Sequence, residues 1–163
     1  MSNLSQNGRC LCGGIVYSVT SEPIHTTICH CKMCQRSTGS AYLLEPIFMK
    51  ESVSVTEGAT TVYEHISDMS DQALWINFCG NCGTKLFQTF ARFPEVVGVF
   101  GGTFDNPDWF ARTPENTRHI FTASAVQGDL FPAHFQLYRQ HTSDSNTGKK
   151  NTPYILKEHR EVE

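Results

Sequence analysis

Along most of this chain apolar and polar residues alternate with a period of two, and β-branched or aromatic side chains are concentrated in the alternating stretches. That period puts every second side chain on one face of a strand, so strands are expected over residues 14–19, 40–44, 52–55, 61–65, 74–78, 84–89, 96–100 and 119–122. Glycines at 58, 80, 83, 101 and 102 punctuate them. A sustained 3.6-residue period is absent. Only residues 33–37 and 107–111 read as helical turns, the second with Asp105 or Asn106 as cap and Pro107 in the first turn. The pattern therefore predicts a mostly β protein.

After His141 the alternation stops. Residues 141–152 are polar and lack large apolar side chains, which reads as a linker, and the short apolar patch Pro153-Tyr154-Ile155-Leu156 follows. The expected organisation is one β domain over residues 1–141, with residues 142–163 as linker and C-terminal tail. At 163 residues the chain is long enough for a buried core, and 39% hydrophobic with 18% charged residues is an ordinary globular balance. A net charge of -3 and 13 scattered basic residues do not make the concentrated cationic face that phosphate binding requires, so nucleic acid is not an expected partner. A membrane is not expected either, because no apolar stretch approaches the ~20 residues of a spanning helix. The segment from Met1 to Arg9 is polar, without the apolar centre of a signal peptide, and the cytoplasm is the expected compartment.

In a reducing compartment, clustered cysteines point to metal or catalysis rather than disulfides. The seven cysteines fall in three groups with none left over: Cys10-Leu11-Cys12, Cys29-His30-Cys31-Lys32-Met33-Cys34 and Cys79-Gly80-Asn81-Cys82. Residues two apart in a strand share a face, so Cys10 and Cys12 are expected to present both sulfurs from an extended segment. Cys79 and Cys82 form a CxxC turn, with Gly80 inside and Gly83 just after. Four thiolates from these two groups complete a tetrahedral structural zinc and tie distant segments together. The middle group has three thiols, which leave one zinc position open to water or an exogenous thiol. Zinc lowers the pKa of a bound thiol, so a substrate thiol there would be a nucleophile at neutral pH. Two Zn2+ per chain are thus expected. His30, between two ligands, is a candidate proton relay or a packed side chain turned away from the metal. Lys32, Arg36 and Lys85 are candidates to receive substrate carboxylates or are solvated surface charge.

The run from Cys10 to Tyr17, the segment from Cys29 to Ser40 and Phe78-Cys79-Gly80-Asn81-Cys82-Gly83-Thr84-Lys85-Leu86 together resemble the glutathione-dependent formaldehyde-activating enzyme family, which also includes centromere protein V. The resemblance extends through Gly101-Gly102-Thr103-Phe104-Asp105 and Arg118-His119-Ile120-Phe121. It implies an Mss4-like fold, several small antiparallel sheets organised around zinc. It implies a structural zinc on Cys10, Cys12, Cys79 and Cys82, and a second zinc on Cys29, Cys31 and Cys34. The second is the catalytic site, where glutathione's sulfur adds to formaldehyde in a carbon-sulfur lyase or synthase reaction giving S-(hydroxymethyl)glutathione, with Arg36 a candidate for a glutathione carboxylate. Residues 124–128, Ser-Ala-Val-Gln-Gly, lack the Pro and Trp that family members carry after the His-Ile-Phe strand, so no aromatic wall is expected in that segment.

Three functions compete on these residues. The first is the thiol-adding enzyme. The second is a non-catalytic zinc module for protein partners, its three-cysteine site closed by a distant histidine such as His65 or His119, with Trp109-Phe110 or Tyr154-Ile155-Leu156 as a docking patch. The third is a redox or metal-buffering protein that exchanges zinc for a disulfide among Cys29, Cys31 and Cys34.

Overall fold

The computed structural model describes residues 5–163; Met1 to Leu4 of the polar N-terminal stretch lie outside the described residues. The chain runs through β1 (Gln6–Arg9), β2 (Val16–Val19), β3 (His25–Cys29), α1 (Lys32–Thr38) and β4 (Leu43–Met49). It continues with β5 (Val53–Glu57), β6 (Thr61–Ile66), β7 (Ala73–Phe78), β8 (Lys85–Phe90) and β9 (Val96–Val99). The last strands are β10 (Thr117–Ile120), β11 (Leu130–Phe131), β12 (Gln136–Leu137) and β13 (Arg160–Glu161). Two compact units emerge, one built from the described residues up to Ile24 with Pro46–Ala111, the other from His25–Glu45 with Arg112–Glu163.

In the first unit, β1, β2 and β5 form an antiparallel sheet in that order. A second antiparallel ladder runs from Ile47, Phe48 and Met49 of β4 through β9, β8 and β7 to β6. The period-two pattern explains the burial: Tyr17 and Val19 of β2 are buried while Val16 and Ser18 are half-exposed. With Phe48, Leu86, Val97 and Val99 they make a core that also contains Cys10 and Cys79. Tyr17 lies against Gly8, where an added Cβ would stand 2.3 Å from the ring, and its hydroxyl meets Thr103 Oγ1 at 2.8 Å.

The helical turn expected at 107–111 is a single hydrogen-bonded turn over Pro107 and Asp108 followed by a bend. Asn106 caps it, its Oδ1 accepting from the Asp108 amide at 3.2 Å and its carbonyl from the Trp109 amide at 3.3 Å. Trp109 stacks on Phe48 and meets Phe104 edge-on, while Phe110 is buried and also meets Phe104 edge-on.

The second unit is built differently. β10 pairs in parallel with β3 on one side and β12 on the other, Ile120 lying opposite Cys29 and Arg118 opposite Thr27 and Gln136. A short antiparallel pair, β11 with β13, accompanies them. α1 covers the expected 33–37 turn; Cys31 caps its start and left-handed Gly39 (φ 66°) ends it. The expected strands at 40–44 and 119–122 lie at 43–49 and 117–120, since Phe121 takes a left-handed conformation (φ 56°) and a 3-10 turn begins at Thr122. In the polar 141–152 segment, Asp144 Oδ1 accepts from the amides of Asn146 and Thr147 at 3.0 and 2.8 Å. Beyond it, Tyr154 bridges to Leu137 and its hydroxyl meets Thr122 Oγ1 at 2.9 Å. Among the described residues no helix is long and apolar enough to cross a membrane.

Candidate metal centre

Two β-hairpin loops of one design carry four of the cysteines. In the first, the Cys10 amide donates to the Ile15 carbonyl (3.1 Å) and the Gly13 amide to the Cys10 carbonyl (3.0 Å). In the second, Cys79 donates to Thr84 (2.9 Å) and Gly83 to Cys79 (2.8 Å). Gly13 and Gly83 hold φ of 74° and 75°, a left-handed conformation that costs any residue with a Cβ. The expectation that Cys10 and Cys12 lie in an extended strand is therefore corrected. β1 ends at Arg9, and the CxC pair occupies a turn that does the work of the CxxC knuckle.

The four sulfurs of Cys10, Cys12, Cys79 and Cys82 lie within 4.8 Å of one another. Cys10 and Cys12 Sγ are 3.5 Å apart, and Cys12 and Cys79 Sγ 3.7 Å. These separations are far too long for a disulfide. A zinc tetrahedron with ~2.3 Å bonds has edges of about 3.8 Å, close to both of these separations, so the four sulfurs could hold a zinc-sized ion. The Ile15 amide donates to Cys10 Sγ at 3.2 Å. Thr84 links the loops: its hydroxyl accepts from the Leu11 amide at 3.1 Å and lies 3.2 Å from Cys82 Sγ. Hydrogen bonds from the Thr84 hydroxyl and amide bring Cys82 down to about 5, and the Asn81 side chain lowers Cys12. Such contacts favour the thiolates that a metal needs.

The second cluster gathers Cys29, Cys31 and Cys34 within the same 4.8 Å, and no fourth His, Cys, Asp or Glu ligand atom joins them among the described residues. Cys29 ends β3, Cys31 is the cap of α1, and Cys34 lies in the first helical turn with its amide on Cys31 Sγ at 3.3 Å. Cys29 and Cys34 are buried, and Cys31 is partly open to solvent. Hydrogen bonds from Cys29 and Cys34 pull Cys31 down to about 3, whereas Cys29 and Cys34 are raised by interaction with their neighbouring thiols and by burial. One thiolate with two thiols is what three crowded sulfurs hold by themselves, and a dication is what removes the remaining protons.

His30 is packed, 1% exposed. Its Nε2 is 3.1 Å from Nδ1 of buried His119, and its Nδ1 is 3.5 Å from Asp129 Oδ2. Burial keeps both imidazoles below the usual histidine range, His119 at about 4. One pair of neutral tautomers satisfies the geometry: His30 points its Nδ1 proton toward Asp129 and accepts from His119 at Nε2. Tyr42 and Phe131 lie against His30, and Phe131 and Phe135 against His119. Aromatic surface is thus supplied just beyond residues 124–128. Of the candidate carboxylate receivers, Lys32 and Arg36 are exposed on α1, with Lys32 Nζ 3.2 Å from Gln35 Oε1, and Lys85 is half-buried on β8. Sequence reasoning did not single out Asp129, Phe131, Phe135, His25 or Arg118 as site residues, because no local spacing links them to the cysteines.

A mostly β chain with several sheets and two cysteine clusters able to hold metal ions is the class that fold and geometry define. Residues 5–124 match the family model described as glutathione-dependent formaldehyde-activating enzyme, and the chain belongs to that family, whose fold is Mss4-like. It is 27% identical over 111 residues to a protein of Halomonas elongata named as a candidate glutathione-dependent formaldehyde-activating enzyme, covering 66% of this chain and 69% of that one. A crystal structure of a Rhodobacter sphaeroides protein shares the fold, with a TM-score of 0.50 and 22% identity over 61% of this chain and 88% of that one.

Proposed function

We propose that this protein is a zinc-dependent enzyme of the carbon-sulfur lyase or synthase type, which binds glutathione or a similar thiol at the three-cysteine centre and adds it to formaldehyde or another small aldehyde. The observation that carries this reading is a three-sulfur cage without a fourth ligand atom among the described residues, in a chain of this family. Cys29, Cys31 and Cys34 would hold the catalytic zinc; Cys10, Cys12, Cys79 and Cys82 would hold a structural one. When bound, zinc supplies a Lewis acid that keeps a thiol deprotonated at neutral pH. In the addition, a sulfur lone pair forms the S–C bond, the carbonyl π pair moves to oxygen, and that oxygen takes up the thiol's proton. His30 has both ring nitrogens turned toward protein neighbours, so its part is to brace the Cys29 to Cys31 loop rather than to shuttle the proton.

Cobalt substitution tests the reading. Native mass spectrometry should find two metal ions per chain, and glutathione should shift the cobalt d–d bands of wild type but not of a Cys34→Ala protein loaded at the four-cysteine site. Unchanged bands with glutathione and other small thiols would sink the enzyme reading. The module reading then stands, and the exposed Val62, Tyr63 and Ile66 of β6 are the observation in its favour.

A further inference from the structure

Arg118 occupies an unusual place for a guanidinium. It is half-buried on β10, and burial lowers its pKa. It forms no ion pair among the described residues. Its Nη2 donates to His25 Nε2, while its Nε is shut off from solvent without a hydrogen-bond partner among the described residues. To accept that bond His25 must be neutral, and burial followed by the nearby Arg118 charge keeps its imidazole down at about 4. A partly desolvated cation facing a neutral ring is left with its charge uncompensated, a costly arrangement unless an anion completes it.

The strand register connects this charge to the cysteines. Arg118 is opposite Thr27, and Ile120 is opposite Cys29, in a parallel pairing where opposed residues share a face. His25, Thr27 and Cys29 alternate onto that same face. Arg118 therefore stands about 7 Å along the strand from the level of Cys29.

We propose that Arg118, positioned by His25, is an anion subsite that takes a carboxylate of a thiol whose sulfur sits at the three-cysteine centre. The inference rests on the thiol-binding reading and narrows it, since the substrate becomes a thiol bearing a carboxylate a few bonds from its sulfur. Glutathione, with carboxylates at both ends of a cysteinyl core, fits that description. The guanidinium fork matches a carboxylate in two parallel hydrogen bonds, and the orphaned Nε supplies one of them.

The test compares glutathione with its diethyl ester on the cobalt-loaded protein. Wild type should bind the diacid about 10-fold more tightly than the diester. Arg118→Gln should bring the two to equal affinity while leaving diester binding unchanged. Arg118→Lys, which keeps the charge without the fork, should retain only part of the preference and serves where the Gln variant does not hold its metal. A preference that persists in full in either variant, or that is missing from wild type, overturns the subsite. If neither thiol perturbs the cobalt bands of wild type, the thiol-binding reading has failed, and a titration of the zinc protein with acetate still judges the anion site. Acetate should then shift the His25 ring resonances in wild type and not in Arg118→Gln, and an absence of shift in wild type overturns it.

Discussion

At the scale of single residues, positions that touch no substrate decide whether the sulfurs can meet. Gly83 is left-handed and a Cβ there would meet nothing within 4 Å. Its replacement by Ala should therefore register the backbone penalty alone, about 1 kcal/mol in denaturant unfolding of the metal-loaded protein. Gly102→Ala, equally unobstructed and without a positive φ, should stay within ~0.5 kcal/mol. Thr84 is the other such position. Thr84→Val removes the hydroxyl shared by the Leu11 amide and Cys82 Sγ, and metal affinity of the four-cysteine cage should drop ~10-fold in a chelator competition.

At the scale of elements, the two cages are built on different supports. Two hairpin turns hold the first, and Cys10 and Cys79 belong to the core around Tyr17 and Leu86. A strand end and the first turn of α1 hold the second, with partly open Cys31 between two buried sulfurs. Cys10→Ala should lower the melting temperature steeply and expose apolar surface to a dye, because it removes a ligand and a core side chain together. Cys34→Ala should leave the protein folded with one metal fewer by native mass spectrometry. Equal collapse of both variants would mean that the second cage is structural too. Most strands with strong alternation were legible beforehand: β2, β5, β6, β7, β8 and β9 lie where the period-two pattern puts them. β1 and β3 were not, for physical reasons. Gln-Asn-Gly-Arg contains no apolar residue, and His-Thr-Thr-Ile-Cys is buried on both faces and so has no polar face to alternate with.

At the scale of the whole molecule, buried histidines make stability depend on pH. His25 and His119 have folded-state values of about 4 against ~6.5 in an unfolded chain. Between those values the unfolded chain binds more protons, so stability rises with pH across the window. Their contribution is complete above pH ~6.5, is lost progressively as the pH falls toward 4, and changes no further below that. Protonation of metal-bound thiolates acts in the same direction, so metal content should be followed alongside. Urea unfolding of the zinc-loaded protein at intervals from pH 7 to 4 should show this slope, and His119→Gln should make it shallower. An unchanged slope in that variant would assign the acid sensitivity to other groups.

The sequence by itself determined that sulfurs would come in local groups, because CxC, CxCxxC and CxxC bring thiols together within one turn whatever surrounds them. It determined most of the strands, because a period of two is a property of the extended backbone. Only the tertiary structure decided that Asp129, His30 and His119 line up, and that Arg118 faces His25 without a carboxylate partner among the described residues. Each of those is a meeting of residues far apart in the chain, set by strand register and core packing, and such meetings leave no periodic trace in the order of the amino acids.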